Sequence, residues 1–187
     1  MTGIIDTIGL IEVTSIAAGF KVQDAMLKTA SVQRLLARTI CAGKFLVVIA
    51  GDVASVKASV AAGAAAAEGV LIEQGVISRI HPSIFQALGQ SVQLDDLSSM
   101  ALGVIETFSA ASIVGAADAA VKNAPVTLLR IHLAMAIGGK GFALLAGDQA
   151  SVESAVNAAA AFAGEHGVLA GKAVIPNPTP ELFQEFI

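Results

Sequence analysis

Few side chains in this 187-residue sequence are equipped for chemistry, so each exception can be weighed singly. The lone cysteine, Cys41, stands in the stretch Thr39-Ile40-Cys41-Ala42-Gly43-Lys44. One thiol excludes an intrachain disulfide and any metal site built on a Cys-x-x-Cys pair. Its surroundings leave two readings open: a small hydrophobe packed in an interior, or a thiol held in a glycine-flanked turn. Of the three histidines, His81, His132 and His166, none has a metal-ligand spacing such as HExxH, and no serine–histidine–acid set can be assembled. Glu12 and Glu106 could serve as an acid–base pair, but they occupy matching places in two strand-like segments, which favours a structural role. Gly138-Gly139-Lys140 is too short for a phosphate loop and lacks the Gly-x-x-x-x-Gly-Lys-Ser/Thr frame. No active site emerges, and the chain reads as something other than an enzyme.

Composition narrows the field further. Hydrophobic residues make up 55% of the chain and charged residues 14%, which demands that apolar tracts be covered by neighbours. Eleven lysines and arginines against fifteen acids give a net charge of −4. That leaves no basic surplus to neutralise phosphates, so no nucleic-acid partner is expected. No uncharged run reaches the ~18 apolar residues of a membrane span, and none is expected to enter a membrane. The longest, Ile80 to Leu94, is interrupted by His81, Pro82 and several glutamines and serines. No basic segment followed by an apolar core opens the chain, so a soluble, cytosolic protein is the expectation.

An internal repeat organises the whole sequence. Gly9-Leu10-Ile11-Glu12 returns as Gly103-Val104-Ile105-Glu106, and Asp24-Ala25-Met26-Leu27-Lys28 as Asp118-Ala119-Ala120-Val121-Lys122, both 94 residues later. Gly43-Lys44 and Gly51-Asp52 return as Gly139-Lys140 and Gly147-Asp148 at 96, and Val76-Ile77 and Pro82 as Val174-Ile175 and Pro180 at 98. Order is kept throughout, so the chain is a tandem duplication with two two-residue insertions, which are expected in turns. The expected domains are 1–92 and 98–187, joined by the polar stretch from Gly89 to Ser99 with Asp95-Asp96.

Each unit reads strand, helix, strand, strand, helix, strand. Residues 8–14 are apolar and β-branched, and Ser15 can cap a helix running to about Ala30. Ile16, Phe20, Met26, Leu27 and Ala30 are expected on its buried face, with Asp24 and Lys28 paired on another. Gln33 to Ile40 and Phe45 to Ala50 read as strands flanking the Cys41–Lys44 turn. The unbroken apolar run Phe45-Leu46-Val47-Val48-Ile49 suits a strand buried on both faces. Asp52 can cap a second helix to about Glu68, striped by Val53, Val56, Val60 and Ala64, before a fourth strand from Val70 to Ile77. The fold class is α+β, two tandem ferredoxin-like split βαβ units.

These repeated segments, with Val76-Ile77-Ser78-Arg79-Ile80-His81, resemble the shell domains of bacterial microcompartments across essentially the whole chain. Two such domains in one chain resemble the family's tandem class, whose members form pseudo-hexameric homotrimers. A duplicated unit used three times offers six similar units, which close a ring without free edges. The resemblance places this protein in a microcompartment shell in the cytoplasm, beside neighbouring shell proteins. It implies tile-edge contacts for Lys28, Lys122 and Arg79; the repeat counterpart of Arg79 is Asn177. It implies a pore lined by Ile40, Cys41, Ala42, Ile137 and Gly138, from the turns 40–44 and 136–140.

Thr39-Ile40-Cys41-Ala42-Gly43-Lys44-Phe45 is further similar to the pore segment of tandem members from propanediol-using compartments, which carry a 4Fe–4S cluster on the threefold axis. Ala42 departs from that pattern, which has proline. The resemblance implies one cluster per trimer, held by Cys41 of three chains, moving electrons across the shell to a lumen enzyme. The alternatives are a cluster-free trimer with a metabolite pore, or a ferredoxin-like regulator outside any shell.

Overall fold

The computed structural model describes residues 5–89, 92, 100–135 and 137–184; Ala136 and most of the connector, including Asp95-Asp96, lie outside them. The first repeat runs β1 (Thr7–Val13), α1 (Ile16–Thr29), β2 (Gln33–Ile40), β3 (Lys44–Gly51), α2 (Val53–Ala66) and β4 (Leu71–Ser78). After α3 (Ser83–Gly89), the pattern returns as β5 (Ala101–Thr107), α4 (Ser112–Asn123), β6 (Thr127–Leu133), β7 (Gly141–Gly147), α5 (Gln149–Glu165) and β8 (Leu169–Ile175), followed by α6 (Glu181–Gln184). Each repeat makes a four-stranded antiparallel sheet, ordered β2-β3-β1-β4 and β6-β7-β5-β8. Two tandem split βαβ units are thus present.

Local chemistry explains the elements. Ser15 Oγ accepts the Ala18 N–H at 3.3 Å and starts α1, while Asp52 and Asp148 accept the N–H groups of Ser55 and Ser151 at 2.9 and 3.0 Å. Strand β3 is buried from Phe45 onward, as its unbroken apolar run predicts. In the first unit Ile11, Val13, Met26, Phe45, Val47 and Val56 belong to one apolar cluster.

The buried face of α1 shares Met26 with the expected one but not Ile16, Phe20 or Leu27. Gly19, Val22 and Met26 point inward, whereas Ile16, Phe20 and Leu27 are 40%, 62% and 37% exposed. The reason is Gly19. A methyl group there would stand 2.3 Å from the Phe45 ring, so the helix meets the sheet along its glycine, and Phe20 reaches Phe45 only from the side, its ring 5.2 Å away.

The two insertions fall in different kinds of place. Gln33 lies opposite Ala50 and Thr127 opposite Ala146, so the repeats stay 94 apart through β2 and β6 and reach 96 only after the β6–β7 turn. The second insertion lengthens a helix instead: α5 has 17 residues and α2 has 14. Nothing in Ala158-Ala159-Ala160-Ala161-Phe162-Ala163 breaks a helix, so the added residues continue the coil.

The compact units do not follow the repeats. One holds the chain through Ile80 together with the turn 134–139; the other holds His81–Leu133 and the chain from Lys140. Helix α3 therefore packs into the second unit, against β6 and α4.

Candidate functional site

The turn carrying Cys41 is the tip of the β2–β3 hairpin, closed where Ile40 pairs with Lys44. Gly43 takes φ +78° with open space around it, so backbone conformation alone requires glycine there. The Cys41 N–H donates to the Ala134 carbonyl at 3.2 Å, which brings the turn 134–139 alongside within the same unit. Gly139, at φ +86°, has no room for a side chain: a Cβ would lie 2.8 Å from the Cys41 carbonyl oxygen and 3.2 Å from Lys44 Nζ. Two glycine turns thus meet at Cys41.

Beneath the turn, Lys44 Nζ donates to Glu12 Oε1 at 2.8 Å, and the Glu12 side chain has no exposed surface. The second repeat repeats the pair more loosely. Lys140 Nζ reaches Glu106 Oε2 at 3.3 Å with both side chains nearly half exposed. These carboxylates are held by lysines of the glycine turns, a structural use that the sequence reading left without a partner. The signal was available, because glutamate and Gly-Lys both survive duplication. Both glutamates are thus paired with the lysine of their own repeat's glycine turn.

The proposed rim residues are graded in exposure. Ala42 and Gly138 are exposed, Cys41 and Ile137 are half-buried, and Ile40 is 4% exposed, packed below the turn. Among the described residues, no group of three or more histidines, cysteines or acids could hold a metal ion. A 4Fe–4S cluster needs three or four protein ligands, predominantly thiolates. One chain supplies one, so this donor set fits such a cluster only when several copies each contribute Cys41.

The three cationic residues of the expected edge sit in distinct environments. Lys28 Nζ bonds Asp24 Oδ2 at 2.7 Å, with both side chains well exposed. Lys122 pairs with Asp118 in the repeated arrangement, but Asp118 is buried and its Oδ1 accepts the His81 N–H at 2.8 Å. Arg79 is exposed and takes φ +51°, and its counterpart Asn177 takes φ +48°, so the repeat preserves a left-handed residue at this bend. Asparagine adopts that conformation more readily than arginine does.

The histidines have local structural uses. His81 Nδ1 lies 2.8 Å from Ser83 Oγ at the start of α3. His132 stacks on Phe142 at 4.9 Å, and His166 Nδ1 lies 2.7 Å from the Phe162 carbonyl at the end of α5. Among ionisable groups, Asp52 and Asp148 have carboxyls held below the usual value of 3.8, first by the Ser55 and Ser151 hydroxyls and then by the same residues' N–H groups. They are helix caps rather than reacting groups.

Duplicated split βαβ units with glycine turns meeting at one place define a tandem two-domain α+β protein. Residues 7–80 and 101–178 match the BMC domain. The chain belongs to that family, the domain of bacterial microcompartment shell proteins, and carries it twice in tandem. It is 42% identical over 180 residues to the bacterial microcompartment shell protein PduT of Citrobacter freundii, covering 96% of this chain and 97% of that protein. It is 31% identical to the carboxysome assembly protein CcmO of Synechocystis sp., covering 94% of this chain and 62% of that one. A crystal structure of a microcompartment protein from Desulfitobacterium hafniense superposes with a TM-score of 0.88 at 45% identity, covering 97% of this chain and 99% of that one. No helix among the described residues is long and apolar enough to cross a membrane.

Proposed function

We propose that this shell protein works as a homotrimeric tile in the cytoplasm, three chains presenting six units around one axis, with Cys41 of each chain supplying a thiolate to one axial 4Fe–4S cluster. The observation that carries the reading is the setting of Cys41: half-buried at a hairpin tip, in the place where both glycine turns of the chain meet. When bound, the cluster supplies one-electron transfer, which across a shell would regenerate redox cofactors for enclosed enzymes. The protein's own contribution is to fix the thiol. The Ala134 carbonyl holds the Cys41 N–H, hydrogen at Gly139 lets the second turn close on the first, and Glu12 anchors Lys44 behind it. Lys28, Lys122 and Arg79 make contacts with neighbouring shell proteins at the tile edge, and a lumen electron-transfer enzyme is the functional partner.

A second reading, a cluster-free trimer passing small metabolites, draws on the small exposed tips Ala42, Gly43 and Gly138. Iron and sulfide analysis of anaerobically purified protein separates the two. The sequence has no tryptophan or tyrosine, so visible and strong near-ultraviolet absorbance reports a bound group. The expected result is about four irons per three chains, lost in Cys41→Ser while the trimer mass is kept. Iron-free trimers after anaerobic reconstitution would overturn the cluster and leave the metabolite pore. Unchanged iron in Cys41→Ser would remove Cys41 from the site.

A further inference from the structure

The two repeats have nearly the same fold, yet the face carried by the first helix of each differs sharply in exposure. On α1, Ile16, Phe20 and Leu27 are exposed along one ridge with Asp24. Their counterparts 94 residues later, Ala110, Val114, Val121 and Asp118, are between 0% and 9% exposed. The adjoining strands differ in the same sense. Leu35 of β2 is only partly buried, whereas Leu129 of β6 is 3% exposed.

In the second unit part of such a face is met by a helix of the same chain. Helix α3, the segment that follows β4, packs against β6 and α4, and the His81 N–H just before it is bonded to Asp118 Oδ1 at 2.8 Å. Asp24, the counterpart of Asp118, is bonded to Lys28 and is exposed. Meanwhile the segment that follows β8 repeats the geometry of the α3 lead. Asn177 keeps the left-handed bend of Arg79, and the Leu182 N–H donates to the Thr179 carbonyl at 3.1 Å, just as the Ile84 N–H donates to the His81 carbonyl at 3.0 Å. Ile84 has no exposed surface, while its counterpart Leu182 is only partly buried.

We infer that the segment Thr179–Leu182 of one copy docks on the α1–β2 face of a second copy, with the Thr179 N–H donating to Asp24 and the exposed ridge around Phe20 covered in the process. The occupant is this chain itself, because the chain carries both halves of the joint: one already made internally at His81 and Asp118, the other open at each end. A joint of this kind is head-to-tail, so it forms rings when its rotation closes. The inference rests on the homotrimer reading and assigns that trimer its contact.

Cross-linking tests it. In a Cys41→Ser background, Asp24→Cys with Thr179→Cys is expected to give a covalent three-chain species on mild oxidation, seen on non-reducing gels. The internal yardstick is His81→Cys with Asp118→Cys in the same background, which should consume its thiols with no change in chain mass. If light scattering shows a trimer, the yardstick pair oxidises and the Asp24/Thr179 pair does not, the trimer stands and this joint is refuted. If the Cys41→Ser parent is monomeric at every concentration, the homotrimer reading beneath it fails as well. A full-chain Phe20→Glu variant provides an independent check. It should keep its circular dichroism spectrum and raise the half-assembly concentration at least about tenfold; assembly unchanged from the parent would overturn the proposal.

Discussion

Replacing Lys44 by methionine is the sharpest probe of the turn. The substitution keeps most of the aliphatic stem and removes the ammonium that lies 2.8 Å from Glu12 Oε1. Glu12 has no exposed surface, so its charge keeps its desolvation cost after the lysine is gone. Breaking a buried ion pair at one end costs about 3–5 kcal/mol. Lys44 retains 23% exposure, so water already shares in solvating the pair, and the lower end, about 3 kcal/mol, is the working value. For a domain of this size each kcal/mol moves the melting temperature by about 2–4 °C, which gives a drop of about 6–12 °C. Lys140→Met supplies the contrast. Its pair is longer, at 3.3 Å, and nearly half exposed at both ends. Such a pair contributes at most about 1 kcal/mol, hence a drop below about 4 °C. Thermal melts by circular dichroism at one fixed protein concentration suit a chain without tryptophan. Adding Glu12→Gln to Lys44→Met should recover part of the loss, because the buried charge goes with it. Equal melting points for Lys44→Met and Lys140→Met would refute the reasoning, since burial would then not set the difference.

Gly139→Ala should cost more than Gly138→Ala in urea unfolding. Both take positive φ, worth about 1–2 kcal/mol to an L residue, but only Gly139 faces the Cys41 carbonyl at 2.8 Å, which adds about 1–3 kcal/mol of overpacking. Within helices, Gly19→Ala should destabilise by about 1–3 kcal/mol as its methyl meets Phe45, whereas Gly164→Ala, with open space around it, should stabilise by up to about 1 kcal/mol. Opposite signs in the two melts are the test. The lowered Asp52 and Asp148 carboxyls contribute to the acid limb: their contribution is present above the unfolded value of 3.8 and disappears as pH falls through the lower folded values. A double Asp→Asn variant keeps cap acceptors that do not titrate there, so its melting temperature should fall less between pH 7 and pH 3 than the parent's.

Most of the architecture was legible because duplication prints each element twice. Ser15, Asp52 and the Phe45–Ile49 run announce their elements by local chemistry, and Gly43, Gly138 and Gly139 suit a tight turn because glycine takes positive φ at little cost. The buried face of α1 was misread because hydrophobicity points to Ile16, Phe20 and Leu27, while the closest approach is decided by the residue with no side chain, Gly19. Helix α3 was missed because Ile80 to Leu94 mixes apolar residues with glutamines and serines and carries Pro82 at its head. The Glu12–Lys44 pair joins residues 32 apart through strand pairing, which no local window reveals. The family resemblance groups Cys41 with Ile137 and Gly138; the bond from the Cys41 N–H to the Ala134 carbonyl follows only from the fold.

The exchange of segments between the compact units has a consequence for anyone who would dissect or recombine this chain. The seam of ancestry runs near the connector, but the seam of folding does not: α3 has gone one way and the turn 134–139 the other. Cut at the repeat boundary, the first fragment carries a helix whose packing partners are gone and lacks the carbonyl that steadies Cys41; the second loses the cover of β6. Grafting one repeat onto a foreign partner would therefore require matching the partner's turn and tail as well as its core, and inheritance of whole chains is the easier route.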